Sequence, residues 1–143
     1  MTAAATTHAN GTRTGLIAAT AIVLLFDIPW LTFRTHSHWG RIGWIPFLSP
    51  PVRIADCLQN VLLFLPFGWF AVNDRRGILA AGAIGLGLSL SCELAQVYSH
   101  NRFPSVTDVV CNLMGTVIGA AAWRVSTRGA RGARYAGGRD SSP

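Results

Sequence analysis

Four apolar blocks alternate with short polar connections along the chain. They cover residues 15–33, 54–72, 77–98 and 106–123, each close to the ~20 residues that carry a helix across a hydrocarbon core. The first, GLIAATAIVLLFDIPWLTF, follows Arg13 in the manner of a secretory leader. Asp27, Pro29 and Trp30 stand where a small-x-small cleavage site would be, so it reads as a retained helix that Pro29 can kink. The second contains Pro66 and Gly68, residues that weaken a helix in water but are tolerated where neighbouring helices resatisfy the backbone. The third starts as GILAAGAIGLGLSL and turns polar at SCELAQVY, and the fourth is VTDVVCNLMGTVIGAAAW.

The connections differ in kind. Residues 34–53 are punctuated by Gly and Pro, and Pro50-Pro51 stops any helix there. Trp39, Trp44 and Phe47 in that stretch suit the headgroup level, which predicts a loop lying at the interface. Residues 73–76, NDRR, form a tight polar turn. Residues 1–14 read as a disordered N-terminal tail and 124–143, rich in Arg and Gly, as a disordered cytoplasmic tail. The predicted fold class is all-α, a polytopic membrane bundle of about four transmembrane helices in one domain over residues 15–123.

Composition agrees. Half the residues are hydrophobic and only 13% are charged, where a soluble domain has about a quarter charged. The net charge is +6 and all 12 basic residues are arginine. Because the arginines fall between and after apolar blocks rather than along one polar face, membrane lipids, and anionic headgroups in particular, are the expected partners, and nucleic acid is not. With the N-terminus inside, eight arginines face the cytoplasm (13, 75, 76, 124, 128, 131, 134 and 139) and four face out (34, 41, 53 and 102). The positive-inside rule therefore predicts N-in/C-in and a multi-pass protein of the cell membrane.

That topology sorts the acids. Asp27 lies near the outer end of helix one, Asp56 starts helix two and Asp108 opens helix four, while Glu93 is five residues before Tyr98, about 7–8 Å from the outer end of helix three. Asp56 and Asn60 are i, i+4, as are Asp108 and Asn112, and Ser89, Glu93 and Gln96 run i, i+4, i+7, so each set shares one helix face. The repeated Asp-x-x-x-Asn hints at internal duplication. A carboxylate at the bilayer centre costs about 2.5–3.5 kcal/mol, so the economical arrangement has these side chains facing one another, with Arg102 placed to neutralise or grip an acid. Asp56, Asn60, Glu93, Gln96, Arg102, Asp108 and Asn112 form the expected polar cluster. The competing readings are a helix cap for Asp108 and interhelical glue for the amides.

Other features carry less chemistry. Cys57, Cys92 and Cys111 lie inside apolar blocks and read as packing residues, although all three fall at similar depth. His36 and His38 make an HxH pair with no third ligand nearby in sequence, so no metal is expected. Gly115-x-x-x-Gly119 is expected to mate helices within one chain, and Gly82, Gly85 and Gly87 to let helix three approach a neighbour. No Walker loop or GxSxG occurs, so no cofactor is expected and catalytic residues stay unassigned.

The run Glu93-Leu-Ala-Gln96, then Arg102, then Asp108-x-x-x-Asn112-x-x-Gly115 closely resembles the signature of the VanZ-like membrane family. The Asn60 segment through Phe64, Pro66 and Gly68 is similar to its Asn-x-x-x-Phe-x-Pro-x-Gly stretch, and residues 44–47 to its first outer loop. The resemblance covers roughly residues 40–123. It implies a bacterial envelope protein in the context of teicoplanin resistance, without fixing a reaction. Joined to the polar cluster, it gives the expectation of an outer-leaflet site for an amphiphile, either a lipoglycopeptide or a lipid-linked cell-wall precursor. The alternatives are a membrane enzyme acting on a lipid headgroup, with Glu93 or an Asp as general base, and a non-catalytic envelope scaffold.

Overall fold

The structure is a computed structural model. It describes residues 2–48, 53–73 and 76–137, with side chains described for 11–48, 53–73 and 76–129. Among the described residues four α-helices, α1 (Thr2–Asp27), α2 (Ile54–Ala71), α3 (Ile78–Gln96) and α4 (Val106–Gly137), run up and down, with one turn of 3₁₀ helix at Trp39–Arg41. Among the described residues, three stretches are long and apolar enough to cross a membrane: Ile54–Ala71, Ile78–Gln96 and Val106–Gly129. The Pro50-Pro51 break, Asp74, Arg75, Arg139 and Asp140 lie outside the described residues.

Helix α1 departs from the expected 15–33 in both directions. It stops at Asp27, because the residue before a proline is pushed out of the α region, so Pro29 ends the helix instead of kinking it. The Leu24 carbonyl is taken up locally, with Ile28 N–H and Trp30 Nε1 both donating to it, at 3.2 and 2.9 Å. At the other end it reaches back to Thr2, into the expected tail, through an alanine-rich stretch. Ala has the highest helix propensity, and extending a helix already nucleated adds one hydrogen bond per residue ordered. In the same way α4 continues through Arg- and Ala-containing sequence to Gly137, where a tail is expected from 124 onward.

Polar side chains share the interior of the bundle with an apolar core, and large apolar side chains cover its outside. Ser89, Asn112 and Thr116 are 0% exposed and Gln96 2%, whereas Leu62 is 66% and Leu79 90% exposed. Leu58, Ile84, Leu90, Leu94, Met114 and Ile118 are exposed as well. Water would not tolerate that inversion across three helices, but lipid asks for it.

Helices α2 and α4 meet at the backbone. A Cβ on Gly115 would collide with the Val61 carbonyl, one on Gly119 with the Leu65 carbonyl, and one on Gly68 with the Thr116 carbonyl. Cys111, Gly115 and Gly119 are spaced i, i+4, i+8 and face Cys57, Val61 and Leu65 at the same spacing, so the interface is one continuous seam. Helix α3 closes on α4 where Gly85 faces the Thr116 side chain, and α1 lies against α2 where Gly15 faces the Phe70 ring. Gly87 faces open space, contrary to the expected close approach, because it points away from the α4 contact made by Gly85. Phe64, Phe67, Ala71, Val72, Ala81, Ala120 and Val23 fill the remaining core.

At the end of the bundle where α1 and α3 stop and α2 and α4 start, the connections are paired. Arg34 N–H donates to the Tyr98 carbonyl (2.8 Å) and His38 N–H to Val97 (2.9 Å). Gly43 N–H donates to Pro104 (2.9 Å), and Val106 N–H returns a bond to Gly43 (3.0 Å). Isolated bridges at Phe33–Ser99 and Gly43–Ser105 complete the stitching. Phe47 takes a left-handed backbone (φ 61°), and its N–H is held by Thr107 Oγ1 at 2.9 Å.

Candidate functional site

At that stitched end an open cleft of about 450 Å³ enters between α2, the end of α3, the α3–α4 loop and the start of α4. Asp56, Asn60, Gln96, Arg102 and Asp108 line it, together with Arg53, Gln59, Asn101, Phe103, Ser105 and Thr107. Five of the seven expected cluster residues therefore share one cavity wall.

Glu93 lies just beneath. It is buried, and its Oε2 accepts the Ser105 N–H at 2.7 Å. Ser105 in turn caps α4: its Oγ accepts the Thr107 N–H at 3.1 Å and its carbonyl the Asp108 N–H at 3.1 Å. The cap is thus Ser105, and the Asp108 side chain is left for the cleft, whose lining it shares with Asn60. Glu93 Oε1 is buried with no hydrogen-bond partner.

Asn112 stands apart from the cleft. One turn deeper than Asp108, it is fully buried and donates through Nδ2 to Ser89 Oγ at 2.9 Å, while Thr116 Oγ1 donates to its carbonyl at 3.0 Å. It ties α3 to α4, an interhelical role.

Arg102 also differs from expectation. Its Nη2 donates to the Phe26 carbonyl at 3.0 Å, so the fork caps the C-terminus of α1, where a cation is favoured by the helix dipole. Carboxylate gripping gives way because the α1 carbonyls end within reach of the loop. Its charge still reaches Asp27, Glu93 and Asp108 together. Gln96 Nε2 donates to the Asp27 carbonyl at 3.0 Å, which fixes the ends of α1 and α3 to each other.

The acid left out of the expected cluster is Asp27. It is 4% exposed, sits beside the Cys92 thiol, and carries a buried Oδ2 with no partner. A lone acid closing an apolar run was the available signal, but the rotation of helix one is not readable from its sequence. Around the cleft there are then four acids, Asp27, Asp56, Glu93 and Asp108, with the guanidinium groups of Arg53 and Arg102 at the rim.

Two further clusters flank the cleft. Cys57, which lines it, meets Cys111 at 2.7 Å between sulfurs, bringing α2 and α4 together. Diamide should convert this pair to a disulfide, the two thiols giving up two protons and two electrons to the azo compound. The check is loss of two reactive thiols on maleimide labelling, abolished in C57S and C111S and retained in C92S. Undiminished labelling of the wild type would count against the contact. On the loop side His36, His38 and His100 gather, with His38 and His100 nitrogens 3.3 Å apart. The pairing of residues 33–38 with 97–99 brings in the third imidazole that the HxH spacing alone lacks. Loss of hydration, then Arg41, His36 and His100, hold the His38 imidazole below its ordinary pKa.

Apolar flanks, a polar interior and a charged cleft at one end define a polytopic helical membrane protein with a terminal polar site. The chain belongs to the VanZ/LLP1 family, whose sequence profile matches residues 5–127. It is similar to Protein VanZ of Enterococcus faecium, 27% identical over 121 residues that span 80% of this chain and 74% of that protein. No solved structure matches.

Proposed function

We propose that the cleft takes the polar end of an amphiphile at the outer leaflet of the bacterial cell membrane, and that through it the protein contributes to glycopeptide resistance of the teicoplanin type. The carrying observation is the junction of two surfaces. A charged cleft of about 450 Å³, with the exposed Phe103 in its own lining, opens at one end of a bundle whose helix flanks expose apolar side chains such as Leu58 and Leu62 on α2. A ligand with one wet and one oily end satisfies both surfaces at once, whereas a wholly polar ligand leaves the flank uncovered. Lipoglycopeptides and lipid-linked cell-wall precursors are the ligand classes of that shape. The orientation is N-in/C-in: in sequence eight arginines (13, 75, 76, 124, 128, 131, 134 and 139) belong to the tails and the α2–α3 turn, against four (34, 41, 53 and 102) in the connections that border the cleft, and cytoplasmic ends carry the arginine excess.

Two measurements test the reading. In a cysteine-free background, N101C should react with a membrane-impermeant maleimide added to intact cells. Expression in a susceptible strain should raise the inhibitory concentration of an acylated glycopeptide more than that of a non-acylated one. Labelling of N101C only after lysis, or equal response to both drugs, would sink the proposal. Release of a cleaved product from a lipid-linked precursor by purified protein would favour an enzyme instead.

A further inference from the structure

The cluster at the loop edge is unused by the cleft. Three of the four histidines in the chain, His36, His38 and His100, converge there from two connections 62 residues apart. We propose that they form a binding site for a divalent transition metal of the Zn²⁺ class, which clamps the α1–α2 connection to the α3–α4 loop.

Geometry carries this. His36 lies at a bend and His38 directly precedes the 3₁₀ turn, and this irregular path brings the two imidazoles together. Their rings meet edge-to-face with centroids 4.8 Å apart, and those of His38 and His100 lie 5.1 Å apart. One candidate nitrogen from each ring falls within 4.8 Å of the others, and His38 Nε2 and His100 Nδ1 are at 3.3 Å. Two nitrogens bound tetrahedrally at about 2.0–2.1 Å from Zn²⁺ are separated by about 3.3 Å. One ligand pair thus already has the spacing of a coordinated edge, and rotation of the exposed His36 ring supplies the third position.

The backbone under the cluster is prearranged. His38 N–H donates to Val97 (2.9 Å), Arg34 N–H to Tyr98 (2.8 Å), and Thr32 Oγ1 meets Ser99 Oγ at 2.9 Å. Neither connection has to be ordered from scratch for the imidazoles to meet, which removes much of the entropic cost of assembling a site. Arg41, the cation beside the cluster, is held in place on the backbone and not on the imidazole rings: its Nη1 donates to the His100 carbonyl at 3.3 Å and its guanidinium lies 5.4 Å from the Phe103 ring centroid. Three imidazoles and an open fourth position suit Zn²⁺, with Cu²⁺ and Ni²⁺ accepted by the same ligands. Residues 101 and 102 follow His100 directly and line the cleft, so an occupied site would fix the wall that carries Arg102.

The experiment uses the full chain in detergent, purified without a histidine tag and stripped with chelator, and titrated with Zn²⁺ by calorimetry. One Zn²⁺ per chain is expected, and Co²⁺ should give the intense visible absorption of a tetrahedral nitrogen site. H36A, H38A and H100A should each weaken Zn²⁺ binding by at least about tenfold, and H8A should not. Metal-free thermal midpoints equal to wild type would show that the variants fold, with H38N and H100Q as replacements if an alanine variant does not. Absence of stoichiometric uptake, or unchanged affinity in the three variants, overturns the site. Because no cleft ligand enters the titration, its outcome is independent of the amphiphile reading.

Discussion

Arg102→Ala is expected to weaken binding of an acylated glycopeptide by about ten- to a hundredfold and to remove the protection the protein confers on cells. Arg102 stands exposed at the cleft rim, and its charge reaches three of the four acids gathered there. A charge-assisted hydrogen bond from such a guanidinium to a ligand is worth about 1.5–3 kcal/mol, which converts to that range at about 1.4 kcal/mol per tenfold. Loss of its bond to the Phe26 carbonyl costs α1 only one capping contact at a solvated position, so insertion and thermal midpoint should barely change. Arg102→Lys separates the two effects: a lysine keeps the charge but loses the planar fork, and recovers binding in part. Glu93→Gln is the companion variant, since its amide oxygen can still accept the Ser105 N–H while the ionisable carboxyl is removed. Affinity of both R102A and E93Q indistinguishable from wild type, by calorimetry in detergent or nanodiscs, would remove the cleft from consideration as the binding site.

Much of this cleft is legible from residue spacing because depth in a membrane is a one-dimensional coordinate. Asp56 at the start of one apolar block, Gln96 near the end of another and Asp108 at the start of a third fall at one level on arginine counting alone, and the i, i+4 partners Asn60 and Asn112 follow from helical periodicity. Rotation about each helix axis is a second coordinate, and the sequence carries it poorly here. Asn112 shares the Asp108 face but sits one turn deeper, so it bonds Ser89 and not the cleft. Asp27 belongs with the cluster only because α1 turns it inward. The α1 boundaries are misread because an apolar run marks what prefers lipid, while helix ends are set by Pro29 and by alanine-rich sequence upstream. Least legible is His100 beside His38, since nothing in an apolar/polar pattern announces that two irregular connections pair their backbones.

Gly119→Leu is expected to prevent stable folding. The Cβ alone would collide with the Leu65 carbonyl and come within 2.9 Å of the Trp69 nitrogen. Both are backbone atoms of a helix, so no rotamer change relieves the contact and α2 must move bodily away from α4. Core overpacking usually costs about 1–3 kcal/mol when side chains can yield; here separation of the helices also loosens the Gly115–Val61 and Gly68–Thr116 contacts along the same seam. Little compensates, because association inside lipid depends on close packing and polar contacts without a hydrophobic drive. Gly119→Ala should be intermediate and Met114→Leu, on an exposed face of the same helix, should be silent. The measurements are monodisperse yield by size-exclusion chromatography and diamide coupling of Cys57 to Cys111, which lies eight residues, about 12 Å, along α4 from Gly119. G119L should lose both readouts. A G119L protein that purifies like wild type and still couples its cysteines would show that α2 and α4 do not meet through this seam.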